Sequence, residues 1–552
     1  MLSNCSSTEN QILSVVCVLE SGNLIPQQLS GSEYISKPFE YNLKSVIEAP
    51  PSDFSVLLGS IITIKIQYSR DSEPQYINGI VFSISELNHQ NYYSIIIKPQ
   101  FSLLTMNRRC RVFQDCSVID IAQTIFIENN INDISFNKIK GHYSNHDCIT
   151  QYNESDYNFI SRLLKSAGLF YFFMHTEHRH TLQVLDNIVA TPMLGDIDVD
   201  VDKSAAQGFV SRPYIHGWLA SQQLGVSSFT QSDFDPDKPS VLLVTKAINT
   251  RATVGIDYYH YPGDYQDIKI GQEKAQIKLE AELSDKFLIN AESNDEQLRA
   301  GSRFRIKDNS DGLIYLIREL TLQADQRSCS NVFIVQTTEK RFHVSEKFEK
   351  PVMHGVQTAV VAGPLDNKVY TDKRGRIKVR FHWDSSDNKT KPSTCWLRVM
   401  QTQAGSGWGH LFIPRVGHEV VVSFINGDVD RPIVIGCVYN ANHMPPYNLP
   451  KESEHSGFKS PVNTGGKTGN EFTFIGKKGS ESINIIAQKD YIETVANDSS
   501  IVVHGNCSLK TDGCHIVNAD KKICLSVKGS RISVEENCIT ISASSININP
   551  NH

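Results

Sequence analysis

Four groups of residues in this chain are of types that could do chemistry. Met174–His180 (MHTEHRH) gathers His175, Glu177, His178 and His180, and imidazoles with a carboxylate are a donor set for zinc. The HxxHxH spacing matches no common zinc pattern, and the segment lies between apolar Leu169–Phe173 and Leu182–Leu185. It reads as a solvated hairpin tip. Gly465-Gly466-Lys467-Thr468 resembles the end of a phosphate loop, but Pro461 stands where that loop needs its first glycine and no apolar strand leads in. It reads as a flexible linker. Gly405, Gly407 and Gly409 surround Trp408 without the spacing or the following helix of a dinucleotide fingerprint, so they read as a barrel loop.

The fourth group is a strand. Arg376, Lys378, Arg380 and His382 alternate with Ile377, Val379, Phe381 and Trp383, which gives one basic face. On a small barrel such a face can bind single-stranded nucleic acid. Asp372, Asp384, Asp387, Glu419, Asp428 and Asp430 share the block, and 54 Lys+Arg against 60 Asp+Glu leave a net charge of −6. Without a basic excess, the face reads as solvated or subunit-facing. A nucleic-acid-binding OB module fused to a β-solenoid is the alternative function. His552, at the end of the sequence, could meet two copies of itself at a threefold axis and hold a metal, but it reads as a frayed terminus.

The elements that position these groups are mostly strands, in a mainly β fold with some α. The 552 residues suggest three or four domains. Ile62, Ile64 and Ile66 alternate with Thr63 and Lys65 as in a half-buried strand. Helices are expected at Val118–Asn129, with Ile119, Ala122, Ile125 and Phe126 on one face behind Ser117, and at Ser155–Ser166, ended by Gly168. A linker near Lys347–Thr358 leads to five short strands, Gly375–Trp383, Cys395–Gln401, His410–Ile413, Glu419–Phe424 and Arg431–Val438, an OB-like barrel. The division is 1–350, 360–445, a connector at 446–470, and 471–552.

From Glu471 onward apolar pairs recur: Ile483/Ile485, Ile501/Val503, Leu525/Val527, Ile532/Val534, Ile539/Ile541 and Ile546/Ile548. One thin apolar row cannot close a core alone. Three chains wound about an axis would turn these rows inward and pair their strand edges. A monomeric β-solenoid competes on pattern alone. No apolar run could span a bilayer, the N-terminus lacks the basic start and apolar core of a secretory signal, and the twelve cysteines form no CxxC. They read as reduced, mostly buried thiols.

Tyr370–Asn440, with YTDKRGRIKVRFHWD and CWLRVMQTQAGSGWGHLFIPRVGHEVVVSFINGDVDRPIVIGCVYN, resembles the OB segment of the VgrG spikes of type VI secretion systems. The motif positions are Gly375, Arg376, Phe381, Trp383, Trp396, Pro414, Arg415, Gly417, Glu419, Gly427, Asp428, Arg431 and Pro432. Arg111–Gln114, Gln151–Asp156 and Phe159–Phe172 are similar to the hub of the same family, and Asn470–Val495 to the start of its needle. The resemblance implies an N-terminal hub of paired barrel-like modules, an OB barrel and a triple-stranded β-helix in a homotrimer. It further implies a base that docks on a hexameric, Hcp-type tube ring, contacts with baseplate components, and a PAAR-type tip received near Ile546, Ile548, Asn549 and His552. Effector cargo and transient passage through a target membrane follow from the same likeness, as does assembly in the bacterial cytoplasm before secretion by the apparatus. The chain ends directly after the alternating strands, so no catalytic domain is expected, and no cofactor, metal or specific nucleic acid is assigned.

Overall fold

The computed structural model describes residues 12–16, 23–48, 50–67, 73–87, 91–200, 214–308, 312–339, 341–345, 348–364, 369–385, 394–461 and 469–548. The chain folds as two units, Met1–Pro445 and Pro446–His552.

In the first unit the alternating segments form a large sheet. Leu13–Val16, Ile61–Ile66, Gln75–Leu87, Tyr92–Lys98, Lys37–Ile47 and Leu24–Tyr34 lie side by side. Ile314–Asp325, Cys329–Thr337, Phe287–Ser293 and Ile215–Gln222 continue them. The two halves meet where Leu24–Tyr34 runs antiparallel to Ile314–Asp325, with Gly31 opposite Leu322. A β-carbon at Gly31 would collide with the Tyr41 ring and the Glu40 carbonyl, so the close backbone approach requires glycine. One apolar core runs beneath both halves, from Leu13 and Ile64 through Phe159 and Phe173 to Phe304 and Phe333. Ile61–Ile66 is not half-buried as expected: Thr63, opposite the isoleucines, is buried too and donates to the Glu177 carbonyl at 3.0 Å.

Helix α1, Val118–Glu128, starts at the expected cap. Ser117 Oγ accepts from the Asp120 N–H, and the Asp120 carboxylate accepts from the Ser117 N–H, a reciprocal capping box. Helix α2, Asp156–Ser166, is capped by Ser155 and buries Phe159, Leu163 and Leu164. Gly168, at φ +74°, takes the left-handed conformation that ends the helix. Helix α3, Ile268–Ser284, was not expected from the sequence. It buries mainly small residues, Gly271, Ala275 and Ala281 with Leu279, against the strands Leu243–Ile248 and Ser228–Asp233, so it carries no continuous apolar stripe.

The barrel differs from the five expected strands. Its sheet runs Lys378–Phe381, Gln357–Ala362, Glu419–Phe424, Pro432–Cys437. Gln357–Ala362 overlaps the assumed linker, where Ala359 and Val361 alternate into the core. Cys395–Gln401 is no ladder strand but supplies isolated bridges, Ile377 to Leu397 and Val399 to Val434. These join the two outer strands of the sheet and close it. His410–Ile413 is irregular, because Ala404 and Gly409 bridge across a tight loop just before it.

In the second unit the stretch read as a connector contains the strand His455–Pro461, which pairs with Gly469–Ile475 and through it with Ser482–Ile486. A second three-stranded sheet follows, Lys522–Val527, Ser530–Glu535 and Cys538–Ser542. Asn549 and His552 lie outside the described residues. The ten described cysteines are free thiols, but only Cys329 is buried. Cys507 and Cys514 lie outside the strands and Cys524 and Cys538 on the last sheet, and all four are exposed.

Candidate functional sites: a charged seam and two open apolar faces

The turn Gly427–Pro432 (GDVDRP) shows what the barrel motif does. Gly427 takes φ +73°, a left-handed conformation suited to glycine, and reverses the chain after Glu419–Phe424. The turn directs its charges at the hub. Arg431 donates to both carboxylate oxygens of Asp233 at 2.9 and 2.6 Å and to Asp264 at 2.9 Å. Lys350 lies between Asp428 at 2.5 Å and Asp430 at 2.7 Å. The free oxygen of Asp430 accepts the Thr150 N–H at 2.7 Å. The Asp233 side chain is only 2% exposed. Burial alone would raise its pKa, but the hydrogen bonds from Arg431 and nearby backbone outweigh that and hold it below the usual range. Burial likewise works against the Lys350 ammonium, and Asp430 and Asp428 more than compensate, raising its pKa. Asp233 and Asp428 are buried against their counter-charges, the arrangement in which removal of one partner is costly.

Neighbouring contacts extend the seam. Tyr152 of the hub stands edge-on to Trp383 of the barrel at 5.4 Å, and Ser385 Oγ donates to the Cys110 carbonyl at 3.0 Å. Arg376 pairs with Asp372 at 2.7 Å and lies 3.9 Å from Asp237, which Arg374 also contacts. The basic strand is thus partly neutralised by the hub and by its own turn, which weakens it as a nucleic-acid surface.

The other motif residues build the barrel. Phe381 stacks on Trp383 with centroids 4.7 Å apart, and Trp396 packs on Tyr370 at 5.0 Å under the Lys378 ammonium. Gly375 and Gly417, at φ +73° and +91°, form turns. Pro414 is buried and Arg415 half-buried beside it, Glu419 accepts from Asn440 at 2.7 Å, and Pro432 opens the last barrel strand.

The histidine cluster is not the solvated tip expected. His175 and His180 face each other across the hairpin Phe170–His175/His180–Leu185 and both are buried, at 3% exposure for the His175 side chain and 7% for His180. His180 Nε2 accepts the Gln100 N–H at 3.1 Å, which leaves Nδ1 protonated to donate to Asn78 Oδ1 at 2.9 Å. Burial pushes both imidazoles down to about 3, so they are neutral structural groups. Of the four candidate ligands, Glu177 and His178 are the exposed ones. No cluster of three or more metal-capable side chains occurs among the described residues.

The second unit presents two apolar faces. Register places Ile523, Val534 and Ile539 in one row and Leu525, Ile532 and Ile541 in the next. Since side chains alternate across a strand, these six and Val527 share one face, opposite Cys524, Ser526, Arg531, Ser533, Thr540 and Ser542. Exposure of the apolar side is large: 65% at Leu525, 75% at Val527, 69% at Ile539 and 52% at Ile541. The earlier sheet repeats the pattern, with Phe458 opposite Phe472 and Ile485, and Phe474 opposite Ile483. Ile546 and Ile548, assigned to tip docking, are 50% and 84% exposed.

Sequence reasoning found the barrel motif and the apolar rows. It missed Asp233, Asp264, Lys350 and Thr150, because single polar residues whose partners are remote in the chain carry no pattern.

A large sheet with one core, a small barrel clasped to it by ion pairs, and a separate unit of open-faced strands is the plan of a contractile-injection spike. Residues 32–328 match the phage tail baseplate hub (GPD) family, 358–439 the type VI secretion system/phage-baseplate injector OB domain, and 456–543 the bacteriophage T4 gp5 C-terminal trimerisation domain. The type VI secretion system spike protein VgrG1a of Pseudomonas aeruginosa is 31% identical over 514 residues, 89% of this chain and 80% of its own. The actin cross-linking toxin VgrG1 of Vibrio cholerae is 31% identical over 466 residues, 81% of this chain but 42% of the toxin. A type VI secretion component of E. coli shares the fold at TM-score 0.57 and 19% identity, covering 77% of this chain and all of that one. A chain of the Francisella PdpA–VgrG complex does so at TM-score 0.57 and 11% identity, over 96% of this chain and 87% of that one. The chain belongs to the VgrG family of type VI secretion spike proteins.

Proposed function

We propose that this spike works as a homotrimer without enzymatic activity. Its hub modules, paired and barrel-like, present six similar contacts to a hexameric, Hcp-type tube ring. The C-terminal strands wind into a triple β-helix whose end, near Ile546 and Ile548, receives a PAAR-type tip. Sheath contraction then drives tube, spike, tip and any effector cargo through a target envelope, so the spike contributes stiffness and docking surfaces rather than chemistry.

The observation that carries this reading is the pair of apolar sheet faces left open in the single chain. A soluble monomer does not expose contiguous faces of this kind, and threefold closure buries both at once. In solution the full chain of 61.9 kDa should sediment as a species of about 186 kDa, the closed three-chain assembly. A well-folded monomer would overturn the proposal. The reading as a single-stranded nucleic-acid binder gains no support, since Arg376 is already paired with Asp372.

A further inference from the structure

The glycine-rich loop of the barrel holds an aromatic ring open to solvent. Met400–Ile413 carries no Asp, Glu, Lys or Arg in a chain that is 21% charged, although charged side chains belong on a surface. Trp408 is 63% exposed, and Met400, Leu411 and Phe412 in the same segment are each more than half exposed. The loop is not slack. Ala404 and Gly409 bridge across it, the Gly405 N–H donates to the Trp408 carbonyl at 2.9 Å and the His410 N–H to the Gln403 carbonyl at 2.9 Å. The Phe412 N–H donates to Gln401 Oε1 at 3.0 Å. The indole lies over Gly405, where a β-carbon would collide with it. Met400 is joined to the last barrel strand by its N–H on the Val434 carbonyl at 2.8 Å, and Ile435, Val438 and Tyr439 are exposed there too. An uncharged surface with a fixed tryptophan has the make-up of an interface core, because a ring already held in place loses little freedom on binding.

We propose that this barrel surface is a second interface between copies of the chain, anchored by Trp408 and packed on the neighbouring barrel of the trimer. The inference rests on the spike reading for the number of copies. What selects a second copy as the occupant is the short tether that follows the barrel. His443 is bridged to Asn440, whose side chain donates to Glu419 at 2.7 Å, so the barrel fixes the chain that far. Tyr447 is held by the later strands, its hydroxyl 3.1 Å from that of Thr473 and its ring 5.6 Å from that of His455. Only Met444, Pro445 and Pro446 lie between His443 and Tyr447, and four Cα steps reach about 15 Å at most. Three chains whose later strands share an axis are therefore bound to keep three barrels within that tether, and a closed ring gives each barrel a neighbour on either side. Val438 and Tyr439, exposed just before the tether, put the apolar surface at the end of the barrel that the tether leaves. A ring of barrels clamped in this way holds three hubs in register independently of the needle.

The test is hydroxyl-radical footprinting of the full-length protein, read by mass spectrometry at Trp408 and Met400. The trimer is compared with the monomer, obtained with Ile539→Asp or, where that variant still associates, by dilution of the wild type. Oxidation of both residues should be several-fold slower in the trimer. Trp408→Asp should raise the dissociation constant of the trimer by at least about 100-fold, the effect of losing an anchor in each of three copies. In the monomer the same substitution should leave the thermal midpoint where it was, which separates loss of contact from loss of fold. A trimer in which Trp408 and Met400 oxidise as fast as in the monomer overturns this interface and leaves the spike reading standing. Equal protection in both forms assigns the surface to contacts within one chain and overturns the interface too. A wild type that is monomeric at every concentration overturns both readings.

Discussion

Replacing Ile539 by aspartate places a charge on the apolar face of the last sheet, and alternation supplies its own control one residue away. Ile539 is 69% exposed in the single chain, so closure of a trimer removes about two-thirds of that side chain from water, worth roughly 1.5 kcal/mol. Ile539→Asp forfeits this and puts an ionised carboxylate in its place, a penalty of about 3 kcal/mol more even after relaxation. Threefold symmetry repeats the loss in every chain, giving ~13 kcal/mol for the assembly, or roughly nine orders of magnitude in its dissociation constant. The isolated chain should hardly notice, since the residue is open to solvent there. Thr540→Asp adds the same charge on the opposite face, beside Ser533, and should leave the trimer intact. Sedimentation from micromolar to nanomolar concentrations distinguishes the two. If Ile539→Asp still runs at ~186 kDa throughout that range, or if Thr540→Asp is the variant that dissociates, the argument from the open face is wrong.

Three further outcomes are expected. Arg431→Ala leaves the buried Asp233 carboxylate without its partner and should destabilise the hub–barrel unit by about 3–5 kcal/mol, read from urea unfolding, whereas Arg415→Ala should cost under ~1 kcal/mol. His175 and His180 are held neutral in the fold by burial, at pKa values of about 3, and return to about 6.5 on unfolding. Their contribution is whole above that value and is lost as pH falls toward 3, by roughly 2 kcal/mol each at about pH 5. The hub's thermal midpoint should therefore drop between about pH 7.5 and 5, and His175→Gln with His180→Gln should flatten the slope. Filter binding at low ionic strength should show no salt-sensitive retention of single-stranded DNA, and Arg376→Ala should change nothing.

How far the sequence could be read depended on whether the deciding interactions were local. Ser117 with Asp120, and Ser155 ahead of Phe159 and Leu163, are caps and stripes that declare themselves within one or two turns, and both helices formed where expected. Helix α3 escaped because Gly271 and Ala275 pack by being small, which leaves no apolar period. The strand Gln357–Ala362 escaped because only Ala359 and Val361 are fully buried in it. His175 and His180 were misjudged for a different reason. Their partner, Asn78, is remote in the chain and turns an apparently wet hairpin into a buried polar network. The GDVDRP turn was recognisable as a motif, yet its purpose lies in Asp233, Asp264 and Lys350, which only folding brings to it.

The proposed role asks both units to be rigid, and they would reach this by opposite means. The hub and barrel have apolar cores of their own, so the chain can form them alone and hold them together through charges that are harmless in water while unpaired. The later strands have no such reserve. Their apolar faces stay open until other copies cover them, and an uncovered face with free strand edges is a site for misassembly. A barrel already clasped to its hub reduces that hazard, because its apolar core is closed within one chain. On the proposed role, the ion pairs at Arg431 and Lys350 serve assembly before they serve thrust: they join hub and barrel within one chain, and the open strand faces are left for the threefold contact.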